Sequence, residues 1–157
     1  MAVVGQQLVG FSLPGVDGTV SFANYRSRRN LVIVLAVGEG RERWRSLLQE
    51  LASRYQEIRD LEAEVIAVFP NQSAADEADL PFPRAWDPGG VLTRNYATDA
   101  MGHEASALLV TDRFGEVYQH DLFDPARPAP ELDSVLASLL YIEKQCPECG
   151  APVWQSE

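Results

Sequence analysis

The sequence predicts an α/β sandwich, in which helices cover both faces of a central mixed sheet and a β-hairpin precedes it. Residues 31–36 form an unbroken apolar run rich in β-branched side chains, which is typical of a strand buried on both faces. A similar run at residues 64–69 follows one amphipathic helix, and this order implies a right-handed parallel crossover. Residues 10–13 and 19–22 alternate in polarity around a turn-rich stretch, which predicts the hairpin.

Residues 41–59 predict a single amphipathic helix between the two apolar runs. Large apolar side chains recur there at steps of three and four residues, and the other positions are mainly polar. These apolar side chains are Trp44, Leu47, Leu48, Leu51, Tyr55 and Ile58.

Two more helices are expected in the second half of the chain. The carboxylate of Asp87 is placed to cap a short helix that has Pro88 at its first position and runs through Tyr96. A final helix over about residues 130–144 is predicted from its apolar stripe.

The remaining segments predict a hairpin and two surface connections. Residues 105–111 and 116–120 flank an Asp-Arg-Phe-Gly turn, which predicts an antiparallel pair. Residues 70–83 and 121–130 are rich in turn-forming residues, so both are expected to be loops.

Length and charge restrict the class of protein. A chain of 157 residues with 46% hydrophobic residues suits one compact domain, predicted over residues 1–145, followed by a tail at 146–157. The net charge of −10 repels phosphate and anionic lipid, so nucleic acid and membranes are not expected as partners. The longest strongly apolar run is too short to cross a bilayer, and the N-terminus lacks a basic leader pattern, so we expect a cytoplasmic protein.

Four stretches in the same order resemble a known family. They are residues 4–14 with 17–21, then 31–36, 80–90 and 109–117. Together they resemble the thioredoxin fold and, more closely, its peroxiredoxin branch, the alkyl hydroperoxide reductase/thiol-specific antioxidant (redoxin) family. The resemblance covers residues 4 to about 140. It implies a thioredoxin-like three-layer α/β/α sandwich and an oxidoreductase relative with a thiol–disulfide or antioxidant role.

The resemblance fails where the family places its chemistry. Members carry a Pro, a Thr and the peroxide-attacking Cys after the third strand, and an ungapped alignment puts Gly38, Glu42 and Arg45 at those positions. No cysteine precedes Cys146. Near Ser106–Ala107, where relatives have a cis-proline or an Arg, this chain has neither. We therefore expect no peroxidase activity of the family type at this place.

An arginine cluster marks the same helix start. Arg41, Arg43 and Arg45 oppose the helix dipole there, which is unusual. They either hold an anionic ligand together with free helix amides, or form a solvated face paired with Glu39 and Glu42.

The only cysteines, Cys146 and Cys149, lie in a Cys-Pro-Glu-Cys-Gly segment of the tail, and three interpretations stay open. The pair can supply two of the four ligands of a zinc site, with the others coming from the partner in a homodimer or from His103 or His120. It can instead be a redox dithiol that exchanges with a thioredoxin-like or other thiol protein. It can also be two inert thiols.

These interpretations give two functional hypotheses. In the first, the chain is a redoxin-like oxidoreductase relative without the usual peroxidatic cysteine, and any redox role rests on Cys146 and Cys149. In the second, it is a non-enzymatic thioredoxin-fold binding or assembly module whose tail cysteines bind zinc across a dimer.

Overall fold

The protein's structure, a computed structural model, describes residues 3–37 and 41–145. Its main sheet has five strands in the order β5-β4-β3-β6-β7, and a separate two-stranded hairpin, β1-β2, precedes it. β3 is parallel to β4 and antiparallel to β6, so the predicted mixed sheet and N-terminal hairpin are confirmed. The strands are β1 Ser12–Leu13, β2 Val20–Ser21, β3 Asn30–Leu35, β4 Ala63–Phe69, β5 Arg84–Trp86, β6 Ser106–Thr111 and β7 Val117–Phe123.

Helices lie on both faces of the sheet, as predicted. Alternate side chains of β3 show the two layers: Val32 and Val34 pack with the helices on one face, and Ile33 packs with the hairpin and a short helix on the other. Every residue of β3 is buried, which explains its unbroken apolar run. The helices are α1 Arg41–Ser53, α2 Tyr55–Asp60, α3 Gln72–Glu77, α4 Val91–Tyr96 and α5 Leu132–Glu143.

The prediction of one helix over residues 41–59 is wrong, because the helix breaks at Arg54. This residue leaves the helical region, with φ −118° and ψ 26°. Its guanidinium bonds Glu57 at 2.8 Å, and Ile58 of α2 is fully buried. The apolar spacing continues across the break, so periodicity alone could not reveal it.

The prediction that residues 70–83 are only a loop is also wrong. The segment contains α3, whose first turn is capped by Asn71: its Oδ1 accepts a hydrogen bond from the Ala74 amide at 2.9 Å. Ala75 is the one fully buried residue of this helix, so it has no apolar stripe to detect. The short strand β5 follows it and was not predicted.

Asp87 caps α4 as predicted, but the helix starts three residues later than expected. Its buried carboxylate accepts hydrogen bonds from the amides of Leu92 at 2.9 Å and of Val91 at 3.3 Å. Pro88 lies in the preceding turn, which Gly90 completes with φ 69°, a value that favours glycine. The carboxylate thus reaches the helix amides across a turn.

The last two elements differ from prediction mainly at their ends. β7 continues to Phe123, into the segment predicted as a loop over 121–130, and α5 is shorter at its start than the predicted 130–144. In the described part of the chain, no helix is long and apolar enough to cross a membrane.

Candidate functional site

The segment where the family carries its reactive residue is the start of α1, which follows β3 at one edge of the sheet. Val37, near the end of that strand, is buried, and its carbonyl accepts a 2.6 Å hydrogen bond from the hydroxyl of Ser106. Ser106 is the fully buried first residue of β6. Here a serine hydroxyl, rather than a proline or an arginine, fixes the backbone beside the position of interest.

The predicted family-site residues do not converge on a reactive centre. Glu42 and Arg45 are both exposed on α1, and Gly38 lies outside the described residues. Ser46 is exposed on the same helix, and among the described residues no hydrogen bond joins it to a base. The described first turns of α1, from Arg41 onward, therefore contain no activated nucleophile.

The three arginines of α1 behave differently from one another. Arg43 donates from Nη2 to the carbonyl of Pro125 at 3.1 Å, which ties α1 to the proline-rich loop after β7. Arg41 and Arg45 are exposed. Within residues 3–37 and 41–145 none of the three lies within 4.0 Å of a carboxylate, so the expected pairing with Glu42 is absent there.

Grooves flank α1 on both sides. The larger, of about 1280 Å³, lies between α1 and the proline-rich loop and carries both acidic and basic side chains. Two smaller pockets of about 290 and 310 Å³ lie on the other side and share Trp44. Prominent lining residues of the large groove are Arg41, Arg43, Glu50, Pro125, Glu131 and Asp133. This mixture of charges selects no ligand class by itself.

The two histidines make separate polar contacts. His103 is exposed and lies 3.9 Å from the carboxylate of Asp99, whereas His120 Nε2 is 2.7 Å from the carbonyl oxygen of Tyr96. Among the described residues no group of three or more His, Cys, Asp or Glu side chains could hold a metal ion. The zinc prediction thus depends on Cys146 and Cys149, which lie outside the described residues.

A charged cluster that the sequence did not reveal joins two loops at the same edge of the sheet. Arg127 Nη2 lies 2.8 Å from Asp124 and 3.7 Å from Asp99, so it links the loop after β7 to the loop before β6. We call these three residues the Arg127 clamp. Asp99 and Arg127 are distant in sequence, and no local pattern connects them.

Hydrogen bonds lower the pKa of both carboxyl groups of the Arg127 clamp. The pKa of Asp124 lies below its ordinary 3.8 mainly because the Arg127 side chain donates to it, with smaller help from backbone amides. The pKa of Asp99 is lowered first by the backbone amide of His103, then by that of Met101, and Arg127 contributes least. The two carboxyl groups therefore depend on Arg127 to different degrees.

Replacing Arg127 with Gln is expected to raise the pKa of Asp124 toward 3.8 and to move that of Asp99 much less. Both folded-state values are depressed. The stabilisation from these carboxylates is thus present above about pH 4 and is lost as the pH falls through their pKa values in the folded protein.

NMR titration of the carboxyl carbons measures the pKa of Asp99 and of Asp124. Arg94→Gln is a suitable control, because the Arg94 side chain donates to the backbone carbonyl of Gly89 and forms no ion pair within residues 3–37 and 41–145. An unchanged Asp124 pKa would contradict the assignment.

The end of α5 lies at the opposite edge of the sheet from the start of α1. Glu143 accepts hydrogen bonds of 2.7 Å from Arg113 and from the buried amide of Asn30, the first residue of β3. Gln145, the last described residue, contacts the hydroxyl of Tyr118 at 3.3 Å. α1, by contrast, begins after the other end of β3. The described part of the chain therefore ends at the edge of the sheet away from the start of α1.

Comparisons with known proteins agree with this architecture. The sequence model of the AhpC/TSA family matches residues 4–120. Similar solved structures include the reduced 2-Cys peroxiredoxin of Plasmodium vivax (12% identity, TM-score 0.76, 90% of this chain and 97% of that one). They also include AhpC of Enterococcus faecalis (19%, 0.74, 94% and 100%) and AhpC of Mycobacterium bovis (15%, 0.71, 94% and 97%). No curated protein matches the chain.

Proposed function

The chain belongs to the AhpC/TSA family of peroxiredoxin-like, thioredoxin-fold proteins, and on that basis we propose that it is a redoxin whose thiol–disulfide chemistry rests on Cys146 and Cys149. The observation that carries the proposal is where the cysteines lie in the sequence. The chain has two cysteines, both in the tail, and the first turns of α1 have none. A thiolate is the group that attacks peroxides and disulfides, so α1 has no residue for this step.

The spacing of the pair suits a reversible dithiol. Two residues separate Cys146 from Cys149, the same spacing as in the dithiol motifs of thiol–disulfide oxidoreductases. One thiolate attacks the disulfide of a partner and releases one partner thiol. The second thiolate then attacks the mixed disulfide and releases the other, so the chain loses two electrons and two protons as its own disulfide forms. A thioredoxin-like protein is the class of partner that restores the dithiol.

A second candidate function rests on the same segment. Cys-Pro-Glu-Cys-Gly places a glycine after the second thiol, which permits the tight turn and close amide approach found in zinc knuckles. Because a closed zinc site needs four ligands, the pair from one chain would be completed by the pair from a second chain in a homodimer. The protein would then be a binding or assembly module rather than an enzyme. The reducing cytoplasm that we expect for it is compatible with either function.

Thiol titration and metal analysis of the same freshly purified sample separate the two functions. A redox role predicts no bound zinc and two titratable thiols that convert reversibly to one disulfide in a dithiothreitol buffer series. Zinc at about half an equivalent per chain would instead support the bridged dimer. Two thiols that form no intramolecular disulfide, in a sample without zinc, would contradict both and leave a passive scaffold.

A further inference from the structure

An exposed and a half-buried tyrosine pack against each other where α5 ends. Tyr118 of β7 and Tyr141 of α5 have ring centroids 6.1 Å apart, and the hydroxyl of Tyr118 donates to Gln145 Oε1 at 3.3 Å. Tyr141 is 60% exposed and the neighbouring Leu140 45%. We call Tyr118, Leu140, Tyr141 and Gln145 the α5-end surface.

Exposed apolar side chains are concentrated on this surface. In the described part of the chain, five large hydrophobic side chains are more than a third exposed, and two of them, Leu140 and Tyr141, are neighbours here. The other three are separate in sequence: Val4, Val91 and Met101. Single exposed apolar residues need no explanation, whereas an exposed ring that packs on a second ring, with an exposed leucine next to it in the helix, indicates a contact surface.

The chain itself supplies a segment of matching chemistry. Twelve residues follow Gln145, and Val153 and Trp154 are their large apolar side chains. Trp154 is nine residues beyond Gln145 and can lie up to about 30 Å from it, whereas Tyr141 is one helical turn, about 6 Å, back along α5. Length is therefore no obstacle to a return path, and the segment contains Pro147, Gly150 and Pro152, residue types that favour chain reversal.

We propose that Val153 and Trp154 dock on the α5-end surface of the same chain. The indole of Trp154 offers a large rigid face to the exposed ring of Tyr141, and aromatic pairs of this kind are favourable beyond simple burial. The contact closes a loop that starts at Gln145 and contains Cys146 and Cys149, so it restrains both thiols at this end of the molecule. The docking goes beyond the proposed redox function and does not require either thiol to react.

The indole N–H signals of the full-length protein test the docking directly. The chain has three tryptophans, and the signal that disappears in Trp154→Phe identifies Trp154. We expect this indole to show cross-relaxation with the ring protons of Tyr141, and we expect Tyr141→Ala to shift it. The signals of Trp44 and Trp86 serve as internal controls, because both side chains pack against the main core. Val91→Ala removes an exposed apolar side chain on α4 and should leave the Trp154 signal unchanged.

Hydrogen exchange supplies a second measurement. The backbone amides of residues 153–156 should exchange at least about tenfold more slowly in the wild type than in Tyr141→Ala, because docking restricts their opening. The same difference should persist in a Cys146→Ser/Cys149→Ser background, where thiol chemistry is absent. Unrestricted exchange and an indole signal that Tyr141→Ala leaves in place would refute the docking. Cross-relaxation found only between differently labelled chains in a mixed sample would also overturn it, by identifying a second copy as the occupant.

Discussion

Replacing Cys146 or Cys149 with serine is expected to abolish catalytic thiol–disulfide exchange, a loss of more than about 100-fold in turnover, because a serine hydroxyl is not ionised near neutral pH and forms no disulfide. Each single variant keeps one thiol. It can attack a disulfide but cannot resolve the mixed disulfide that results. Turnover of oxidised glutathione, coupled to a reductant, measures the loss.

The two single variants also report the order of attack. The variant that keeps the attacking cysteine should accumulate a mixed disulfide with the substrate, whereas the other should accumulate much less. Mass spectrometry of the intact chain distinguishes them. Equal turnover in both variants and in the wild type would show that the exchange does not use this pair.

Arg45→Ala and Ser46→Ala are matched controls for the cysteine variants. Both side chains are exposed on α1, in the region where relatives are reactive, and neither is assigned a role in the exchange. Their turnover should equal that of the wild type. Hydroperoxide consumption that survives Cys146→Ser/Cys149→Ser and falls in Arg45→Ala would reverse this assignment and place the chemistry at α1.

The zinc alternative gives a different result in the same variants. If the tail pair binds zinc across a dimer, a single serine removes two of the four ligands of the shared site, one from each chain. Metal would then be lost together with the dimer, which sedimentation detects. In the redox case neither metal content nor the state of association depends on the pair.

The parts of the fold that the sequence predicted are those with a strong burial signal. β3 and β4 are enclosed by helices on one face and by the hairpin and α4 on the other, so nearly all of their side chains are apolar. α5 buries one stripe against the sheet, which gives it a clear helical period. In these elements, local composition and tertiary environment agree.

The elements that the sequence did not predict depend on contacts made elsewhere in the chain. β5 has three residues and exists because it pairs with the end of β4. At the break, Arg54 forms a local ion pair with Glu57 and a long-range one with Asp133, and only the second connects it to another element, α5. Neither feature has a local pattern of its own, so single-sequence reasoning has no basis for detecting it.

The candidate site divides in the same way. The absence of a cysteine from α1 can be read directly from the sequence, because it depends only on residue identity. The Arg127 clamp and the bond from Ser106 to Val37 require the fold, since each joins residues that are distant along the chain. The resemblance to relatives predicted that the family site corresponds to the start of α1. It did not predict which side chains form hydrogen bonds and ion pairs at that edge of the sheet.

Replacing Phe69 with alanine is expected to lower the free energy of unfolding by about 3–5 kcal/mol, the usual cost of removing a buried aromatic side chain. Phe69 ends β4, is fully buried, and has its ring 5.8 Å from that of Trp44 in an edge-to-face arrangement. The lost packing therefore affects α1 as well as the sheet. Domains of this size have about 5–15 kcal/mol of total stability, so the loss is a large share of it.

Chemical denaturation followed by circular dichroism measures the free energy of unfolding. In thermal unfolding, the fall in Tm should be roughly 6–20 °C, because each kcal/mol corresponds to about 2–4 °C at this chain length. Phe69→Leu is the matched control: it keeps most of the apolar volume, so its cost should stay below about 1.5 kcal/mol. If both variants cost the same small amount, Phe69 does not support α1 through Trp44. A cost confined to Phe69→Ala, with altered tryptophan fluorescence in the folded state, would show that the apolar volume of Phe69 holds Trp44 and α1 against the sheet.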